Sequence, residues 1–401
     1  MNILILGGTG AMGVPLVEQL SQHHQVYVTT RKTRVNKNKI TYLQGNAHDL
    51  SFVKSVLEER EREREREREC GLSSISSIDE NLNFSSFLFD VCIDFMSYSS
   101  SEFKERVDFF LSKFRKYIFI SSSRVYSDND SYITENTKRL LDISKDDDFI
   151  KTDEYSLAKA REENLLVNSK FKNWIIVRPY ITYGQERFQL GVLEKENFLY
   201  RALHGRKIVF SKDILNHITT MTSGDDVAKG ICAIVNHCLS LESKVFHITS
   251  PYYCKWQEIL SIYSETLKQF GYSGEFMLDG FAFNLKRKGS KYQVIYDRYY
   301  DRKFDNSAIN EIVETSKFAS PLDPKFGIKR YLQEFILNPN FKQIDWALEA
   351  WNDKFTGEFT PLKEIPGISS KVNYLLRRYN LDLLANIIGY GVKIIKKLGA
   401  I

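Results

Sequence analysis

Cysteine is scarce in this chain and poorly spaced for any usual role. Five occur among 401 residues, at Cys70, Cys92, Cys232, Cys238 and Cys254. None forms a Cys-x-x-Cys pair, and the odd number argues against a disulfide framework, so neither a metal site nor a cross-linked fold is expected. A reducing cytoplasm is the expected compartment. Long apolar runs are also missing: no stretch supplies the roughly 18 uninterrupted apolar residues of a membrane span. The chain opens at once on Ile3, Leu4, Ile5 and Leu6, which leaves no room for the charged and apolar regions of a signal peptide. Charge of one sign is lacking too. Against 51 acidic residues stand 56 basic ones, a net charge of +5, too mild to make nucleic acid the expected partner.

What is present is core-forming residues in quantity. Hydrophobic residues make up 43%, with 27 Phe and 22 Tyr, in a chain longer than one hydrophobic core sustains. A large domain with a smaller one is therefore expected. The apolar run at residues 3–6 reads as a parallel strand buried on both faces. It is followed by Gly7-Gly8-Thr9-Gly10-Ala11-Met12-Gly13 and then by a helical pattern containing Pro15 and Leu16 to Leu20. Glycines spaced as Gly7, Gly10 and Gly13 at a strand-to-helix junction let backbone N–H groups approach a pyrophosphate at the positive end of the helix. Thr9, Ala11 and Met12 share that turn and are candidate cofactor contacts.

Gln25 to Thr30 reads as the second strand, ending in Thr29-Thr30-Arg31-Lys32. A carboxylate at this point binds a ribose 2′-hydroxyl, whereas an arginine accommodates a 2′-phosphate. No acid is present, so NADP is favoured over NAD, with Arg31 and Lys32 as candidate ligands. Ile40 to Gln44 is the third expected strand, and Asp49 after Asn46 is placed to cap the next helix. From Glu59 to Glu69, Glu and Arg alternate without a break, which is expected to form a solvated helical extension. A Gly/Ser/Asn-rich loop from Gly71 to Ser86 returns the chain.

Phe87 to Phe95 is the next expected strand and delivers Met96, Ser97 and Tyr98 to the carboxyl edge, where ligands of doubly wound sheets bind. A helix from Glu102 to Lys113 and a strand from Tyr117 to Ile120 follow, ending in Ser121, Ser122 and Ser123. Residues 128–153 read as loop. A helix then starts at Glu154 and carries Tyr155 and Lys159, four apart and so on one face. A neighbouring ammonium stabilises a phenolate and brings a tyrosine towards proton-transfer duty.

These features resemble the extended short-chain dehydrogenase/reductases, also called the NAD-dependent epimerase/dehydratase family. The resemblance rests on Gly7/Gly10/Gly13, Ser121 to Tyr126, Tyr155/Lys159, Arg178-Pro179 through Tyr183-Gly184, and Asp225 to Ala228, and covers roughly residues 1 to 340. It implies a doubly wound parallel α/β sheet of Rossmann type with a smaller C-terminal substrate domain and a helical tail. The expected boundaries are 1–180 for the nucleotide-binding domain with an insertion over 58–86, 181–360 for a mixed substrate region with returning Rossmann elements, and 361–401 for the tail. The implied activity is epimerisation or keto-reduction of a nucleotide-linked sugar, with hydride passing to and from the cofactor. Tyr155 would be the acid/base and Lys159 would hold the nicotinamide ribose. Ser122 would bond the reacting oxygen, with Ser123 the alternative. Gly7, Thr9, Gly10, Ala11, Met12, Gly13, Arg31, Lys32, Asn46, Tyr155, Lys159 and Pro179 would contact the cofactor, and Ser97, Ser123, Tyr183, Arg187 and His217 the substrate. No metal is implied.

The departures are informative. Family dehydratases carry an Asp-Glu pair where this chain has Ser123-Arg124, which argues against elimination of water. Asn46 replaces the usual Asp, and Asp94-Phe95-Met96-Ser97-Tyr98 replaces a small-residue run. A catalytically inactive cofactor-binding regulator, or an RNA-associated protein of the same fold, is the alternative. Phe276 to Phe304 mixes aromatic and basic residues, including Lys286, Arg287, Lys288, Arg298 and Arg302, and is expected to clamp a sugar nucleotide rather than RNA. Arg206 joins Arg187 as a candidate for a diphosphate. The basic, apolar tail over 365–401 is expected as amphipathic helices that pack on the body or a second subunit of a homodimer, or dock on an anionic membrane surface.

Overall fold

The computed structural model describes residues 1–69, 87–282, 291–313 and 321–387. The loop read over 71–86, Lys286 to Lys288 and the tail beyond 387 lie outside the described residues. The chain divides into two compact units. The first comprises Met1–Glu186, Thr220–Tyr253 and Asp301–Pro324, and the second Arg187–Thr219, Cys254–Tyr300 and Lys325–Ile401.

The first unit is built on a seven-stranded sheet of β1 (Asn2–Leu6), β2 (Gln25–Thr30), β3 (Ile40–Gln44), β4 (Phe89–Asp94), β5 (Phe114–Ile120), β6 (Trp174–Pro179) and β7 (Lys244–Ile248). The spatial order is β7-β6-β5-β4-β1-β2-β3, and every pairing is parallel. The order reverses at β1, the switch point where doubly wound folds bind ligands. Alternation along β1 explains the burial of its whole apolar run. Ile3 and Ile5 face one core, shared with α1 (Gly13–Leu20), α6 (Gly224–His237) and α7 (Ser307–Val313). Leu4 and Leu6 face the other, shared with α2 (Leu50–Glu69), α3 (Ser100–Lys104), α4 (Val107–Lys113) and α5 (Tyr155–Asn168). Helices on both faces leave these strands no solvent side, and this is the expected Rossmann architecture.

Two local differences from the sequence reading have clear causes. The helix expected over Glu102 to Lys113 is broken into α3 and α4. Arg106, buried at the junction, donates to the carbonyls of Glu102 and His48 at 2.9 and 3.1 Å and pulls the backbone out of helical register. The 128–153 segment, read as loop, holds two single turns of helix, Leu140–Ile143 and Asp147–Ile150. By contrast, α2 does run through the Glu/Arg repeat to Glu69, with Arg60 paired to Glu63 at 3.1 Å. Its packing comes from Val53, Val56 and Leu57 near its start.

The second unit is mainly helical, with Lys195–Leu203, Trp256–Gln269, Pro324–Leu337, Trp346–Thr356 and Ile368–Arg378. Ile208–Ser211 pairs in parallel with Phe276–Asp279. Arg201 is its electrostatic centre. Fully buried, it reaches Glu349 and Asp353 at 2.8 Å each and Glu358 at 2.8 Å. Tyr374 closes the same cluster by donating to Asp353 at 2.6 Å, which fastens Ile368–Arg378 to the preceding helix. Among the described residues no helix is long and apolar enough to cross a membrane.

Removing one member of a buried ion cluster leaves its partners uncompensated. Arg201→Met is therefore expected to cost about 3–5 kcal/mol of unfolding free energy, read by chemical denaturation. A loss under about 1 kcal/mol, the range of exposed pairs, would contradict the burial of this cluster.

Candidate active site

The glycine turn after β1 is shaped by its own packing. Gly7 has φ +79, in the left-handed region that favours glycine. Its N–H donates to Thr29 Oγ1 at 3.1 Å, so the end of β2 holds the start of the turn. A Cβ on Gly13 would lie 2.5 Å from the Gly8 carbonyl carbon, and one on Gly224 would lie 2.1 Å from the Ala11 carbonyl oxygen. The first turn of α6 thus packs against the loop backbone. Gly10 is different: a Cβ there meets nothing within 4 Å. Met12, at the N-cap of α1, makes no side-chain cap, and no acid occupies the first turn. An open glycine beside an uncapped helix start fits the pyrophosphate of a dinucleotide.

Around that turn, Arg31 and Lys32 are exposed at the end of β2, and the Lys32 N–H donates to Thr30 Oγ1 at 3.3 Å. Asn46 is exposed, and its Oδ1 accepts from the His48 N–H at 3.3 Å. Asp49 caps α2 by accepting from the Ser51 N–H and hydroxyl, bonds that hold its carboxyl below the usual range. Pro179 is buried at the end of β6, and Ser97 is exposed just beyond β4.

The three serines after β5 have separate partners. Ser121 donates to Glu163 at 2.6 Å, and Ser123, fully buried, donates to the Arg178 carbonyl at 2.8 Å. Ser122 accepts from the Arg124 N–H at 3.2 Å. Among the described residues its hydroxyl proton has no acceptor, which leaves it able to donate to a ligand. Arg124 then joins the serine turn to α5. Its guanidinium lies over the Tyr155 ring at 5.3 Å and donates to Glu154 at 2.5 Å. Glu154 in turn caps α5 by accepting from the Ser156 N–H at 2.7 Å. Tyr155, the first residue of α5, is 39% exposed.

Lys159 lies one turn further and is only 2% exposed. It donates to the Met96 carbonyl at 3.1 Å and to Glu162 at 3.0 Å, with Phe119's ring centre 4.4 Å away. Glu162 is wholly buried, and burial raises its carboxyl to about 7 against the opposing pull of Lys159. Among the described residues its Oε1 has no hydrogen-bond partner, an arrangement that costs about 1–3 kcal/mol in a protein interior. Asp94, at the end of β4, accepts from Tyr117 at 2.6 Å, Tyr98 at 3.1 Å and the Met96 N–H at 2.8 Å. Burial nevertheless raises its carboxyl above the usual range.

Ser122, Tyr155 and Lys159 therefore stand at the carboxyl edge of the sheet that carries the glycine turn. Tyr183 is buried in the same unit, in the short pairing of Thr182–Tyr183 with Thr222–Ser223. Arg187 and His217 belong to the second unit. Arg187 is paired with Glu194 at 2.9 Å, and His217's ring stands 5.8 Å from that of Tyr299. Arg206 is buried and paired with Glu364 at 3.0 Å. Arg302, in the first unit, donates to the carbonyls of Tyr126 and Ser127, and Arg298, in the second, to that of Gly191. Glu162 and Glu163 were missed in the sequence. Their signal was the spacing 155, 159, 162, 163, which puts all four on one helix face.

No family model matches the chain, and no curated protein matches it in sequence. Its fold, however, is that of solved sugar-nucleotide epimerases. UDP-glucuronic acid 4-epimerase from Bacillus cereus, solved with UDP-glucuronic acid and NAD, aligns with a TM-score of 0.59 at 14% identity, over 85% of this chain and 100% of its own. UDP-glucose 4-epimerase from Bifidobacterium longum, solved with NAD+ and UDP, aligns at 0.57 and 15% identity, over 85% and 99%. The UDP-Glc/GlcNAc 4-epimerase of Campylobacter jejuni aligns at 0.56 and 15%, over 84% and 99%. At these identities the likeness is one of fold.

Proposed function

We propose that this chain is an NAD(P)-dependent epimerase or keto-reductase of the extended short-chain dehydrogenase/reductase kind, acting on a nucleotide-linked sugar such as a UDP-sugar. The observation that carries the reading is the placement of Ser122 and Tyr155, joined through Arg124, on the sheet edge that also bears the open glycine turn. The epimerases of the same fold support the substrate class. The nicotinamide of a dinucleotide held at the turn would supply hydride acceptance and donation. Ser122 donates its free hydroxyl proton to the reacting sugar oxygen, and Tyr155 exchanges a proton with that oxygen at its phenol. Arg124, held by Glu154, lies over the phenol ring and orients the serine turn against it. No carboxylic acid follows Ser122, so water elimination has no donor in the serine turn.

Loss of the phenol tests this assignment. Tyr155→Phe is expected to reduce turnover of a converted UDP-sugar about 10²- to 10⁴-fold, followed by NMR of the sugar, with dinucleotide binding retained. Unchanged turnover would refute Tyr155 as the acid/base.

For the cofactor, exposed Arg31 and Lys32 and the missing acid at the end of β2 support NADP over NAD. Arg31→Asp is then expected to move the preference towards NAD by at least about tenfold in relative affinity. An unaltered ratio would remove the argument.

One observation favours the rival reading, a cofactor-binding protein without turnover: the Lys159 ammonium is buried against Met96 and Glu162. Dinucleotide that binds without conversion of any UDP-sugar would support that rival.

The second unit supports a further contact. Ile368, Leu383 and Ile387 are among the exposed apolar residues of the described tail, near Lys371 and Arg378 in sequence. Such a mix of exposed apolar and basic residues suits peripheral docking on an anionic membrane. Flotation with anionic but not neutral vesicles, abolished by Leu383→Asp with Ile387→Asp, is the expected result. Failure to float, with a dimeric mass in light scattering, would assign these residues to a second copy.

A further inference from the structure

Two adjacent carboxylates lie on the buried face of α5, and their surroundings differ sharply. Glu163 is saturated, with Ser121, Arg178 and Arg139 all donating to it. Glu162 has Lys159 alone, and its second oxygen has no hydrogen-bond partner among the described residues. Lys159 is equally committed: the Met96 carbonyl, the Glu162 carboxylate and the face of Phe119 surround its ammonium. Two of its three N–H groups are donated and an aromatic ring covers a further side, so one N–H remains for a ribose hydroxyl, and turning it to that hydroxyl works against the Glu162 ion pair. The Met96 carbonyl belongs to the segment just beyond β4 and Phe119 to β5. The Glu162 interaction is the one whose strength changes with a proton.

The charged groups that face Glu162 are few. Lys159 on its own helix favours the ionised form, while Asp94 from β4 and Asp153 from the segment before α5 oppose it. Asp94 is itself bonded by Tyr98, Tyr117 and the Met96 N–H. Asp153 is engaged by Ser100 and Arg161. Burial adds to the two acids and outweighs the single cation, so Glu162 changes charge at about 7.

We propose that Glu162 is a positioning residue for Lys159: its carboxylate holds the ammonium back against Met96, and its protonated form releases that ammonium to a dinucleotide ribose. The proposal rests on reading the glycine turn as a dinucleotide site. Its sign follows directly. Below the Glu162 transition Lys159 carries uncompensated charge and is free to bond the ribose. As pH rises through the transition, the carboxylate reclaims it. Dinucleotide binding therefore weakens with rising pH and takes up a proton.

The test is NAD+ affinity by calorimetry from about pH 6 to about pH 8, spanning the Glu162 transition. NAD+ is chosen because the extra phosphate of NADP+ has its own ionisation near pH 6. In the wild type, affinity is expected to fall at least about fivefold across this range, the lower end of usual linkage effects. Proton uptake should appear when buffers of different ionisation enthalpy are compared. Glu162→Gln should bind NAD+ with the low-pH affinity throughout and take up no proton. Lys159→Met should bind more weakly and lose the pH step. Parallel pH profiles in wild type and Glu162→Gln would overturn the proposal. If Glu162→Gln does not fold, the wild-type proton count decides, and zero uptake near neutral pH overturns it. A pH-independent wild-type affinity refutes this inference while leaving the dinucleotide reading intact. No NAD+ binding at any pH refutes both.

Discussion

The carboxylate of Glu163 is the fixed point on which the arrangement of Ser122, Tyr155 and Lys159 depends. It accepts from Ser121 at 2.6 Å, from Arg178 at 2.8 and 2.6 Å, and from Arg139 at 3.1 Å. These donors come from the end of β5, from β6 and from the segment ahead of α5. A buried carboxylate loses several kcal/mol of hydration, and apolar packing could match the stability that its partners restore. Apolar packing would not match the direction. By bonding Ser121, Glu163 fixes the residue next to Ser122 against the helix that carries Tyr155 and Lys159. The order extends outward: Arg178 lies over the Tyr126 ring at 4.8 Å, and Tyr126 and His247 are 3.2 Å apart. His247 Nε2 sits 2.6 Å from the Asp305 carbonyl, so Nε2 carries the proton and Nδ1 accepts from Tyr126. That is the neutral form, which burial favours.

At the other end of the site, glycines that look alike in sequence answer to different constraints. Gly7 is required by its backbone angle, and Gly13 and Gly224 by close backbone approach. Packing supplies no such reason for Gly10, whose missing side chain leaves open space beside the start of α1. Internal packing therefore accounts for the shape of the turn and leaves Gly10 alone among these glycines without a packing constraint. The Thr29 bond to Gly7 adds a link between the turn and the end of β2, where the adenosine end of a dinucleotide is recognised in this fold.

Much of the unit that carries the parallel sheet was legible because its signals are local. Four apolar residues in a row announce β1, and serines at a strand end announce a sheet edge. The buried charges were not legible. Glu162 and Glu163 have the composition of an exposed helix face, and only the partners at Lys159, Arg178 and Arg139 make them interior residues. Arg206 reads as a candidate for a diphosphate and nothing local marks Arg201, yet the acids of both lie some 150 positions later in the chain. Arg106 looked like an ordinary helix residue, and its break of the helix depends on a carbonyl at His48. Short-range patterns carry elements, whereas long-range charge pairing is settled only when the chain is folded.

Arg124 shows how one such pairing bears on chemistry. It follows the serines directly, so the turn that presents the Ser122 hydroxyl also presents a cation. Glu154 holds that cation and at the same time caps α5, so one carboxylate orients the guanidinium and the helix start together. Tyr155 occupies the first position of that helix, where unpaired N–H groups contribute positive potential. Arg124 is paired to Glu154 as Lys159 is to Glu162, so the cation over the Tyr155 ring and the one a helical turn away each carry their own carboxylate. The two pairs differ in burial: the Lys159 and Glu162 side chains are 2% and 0% exposed, those of Arg124 and Glu154 15% and 11%. The less water reaches a pair, the more its strength depends on both charges being present, so the Lys159 pair is the one whose geometry is most tied to its carboxylate.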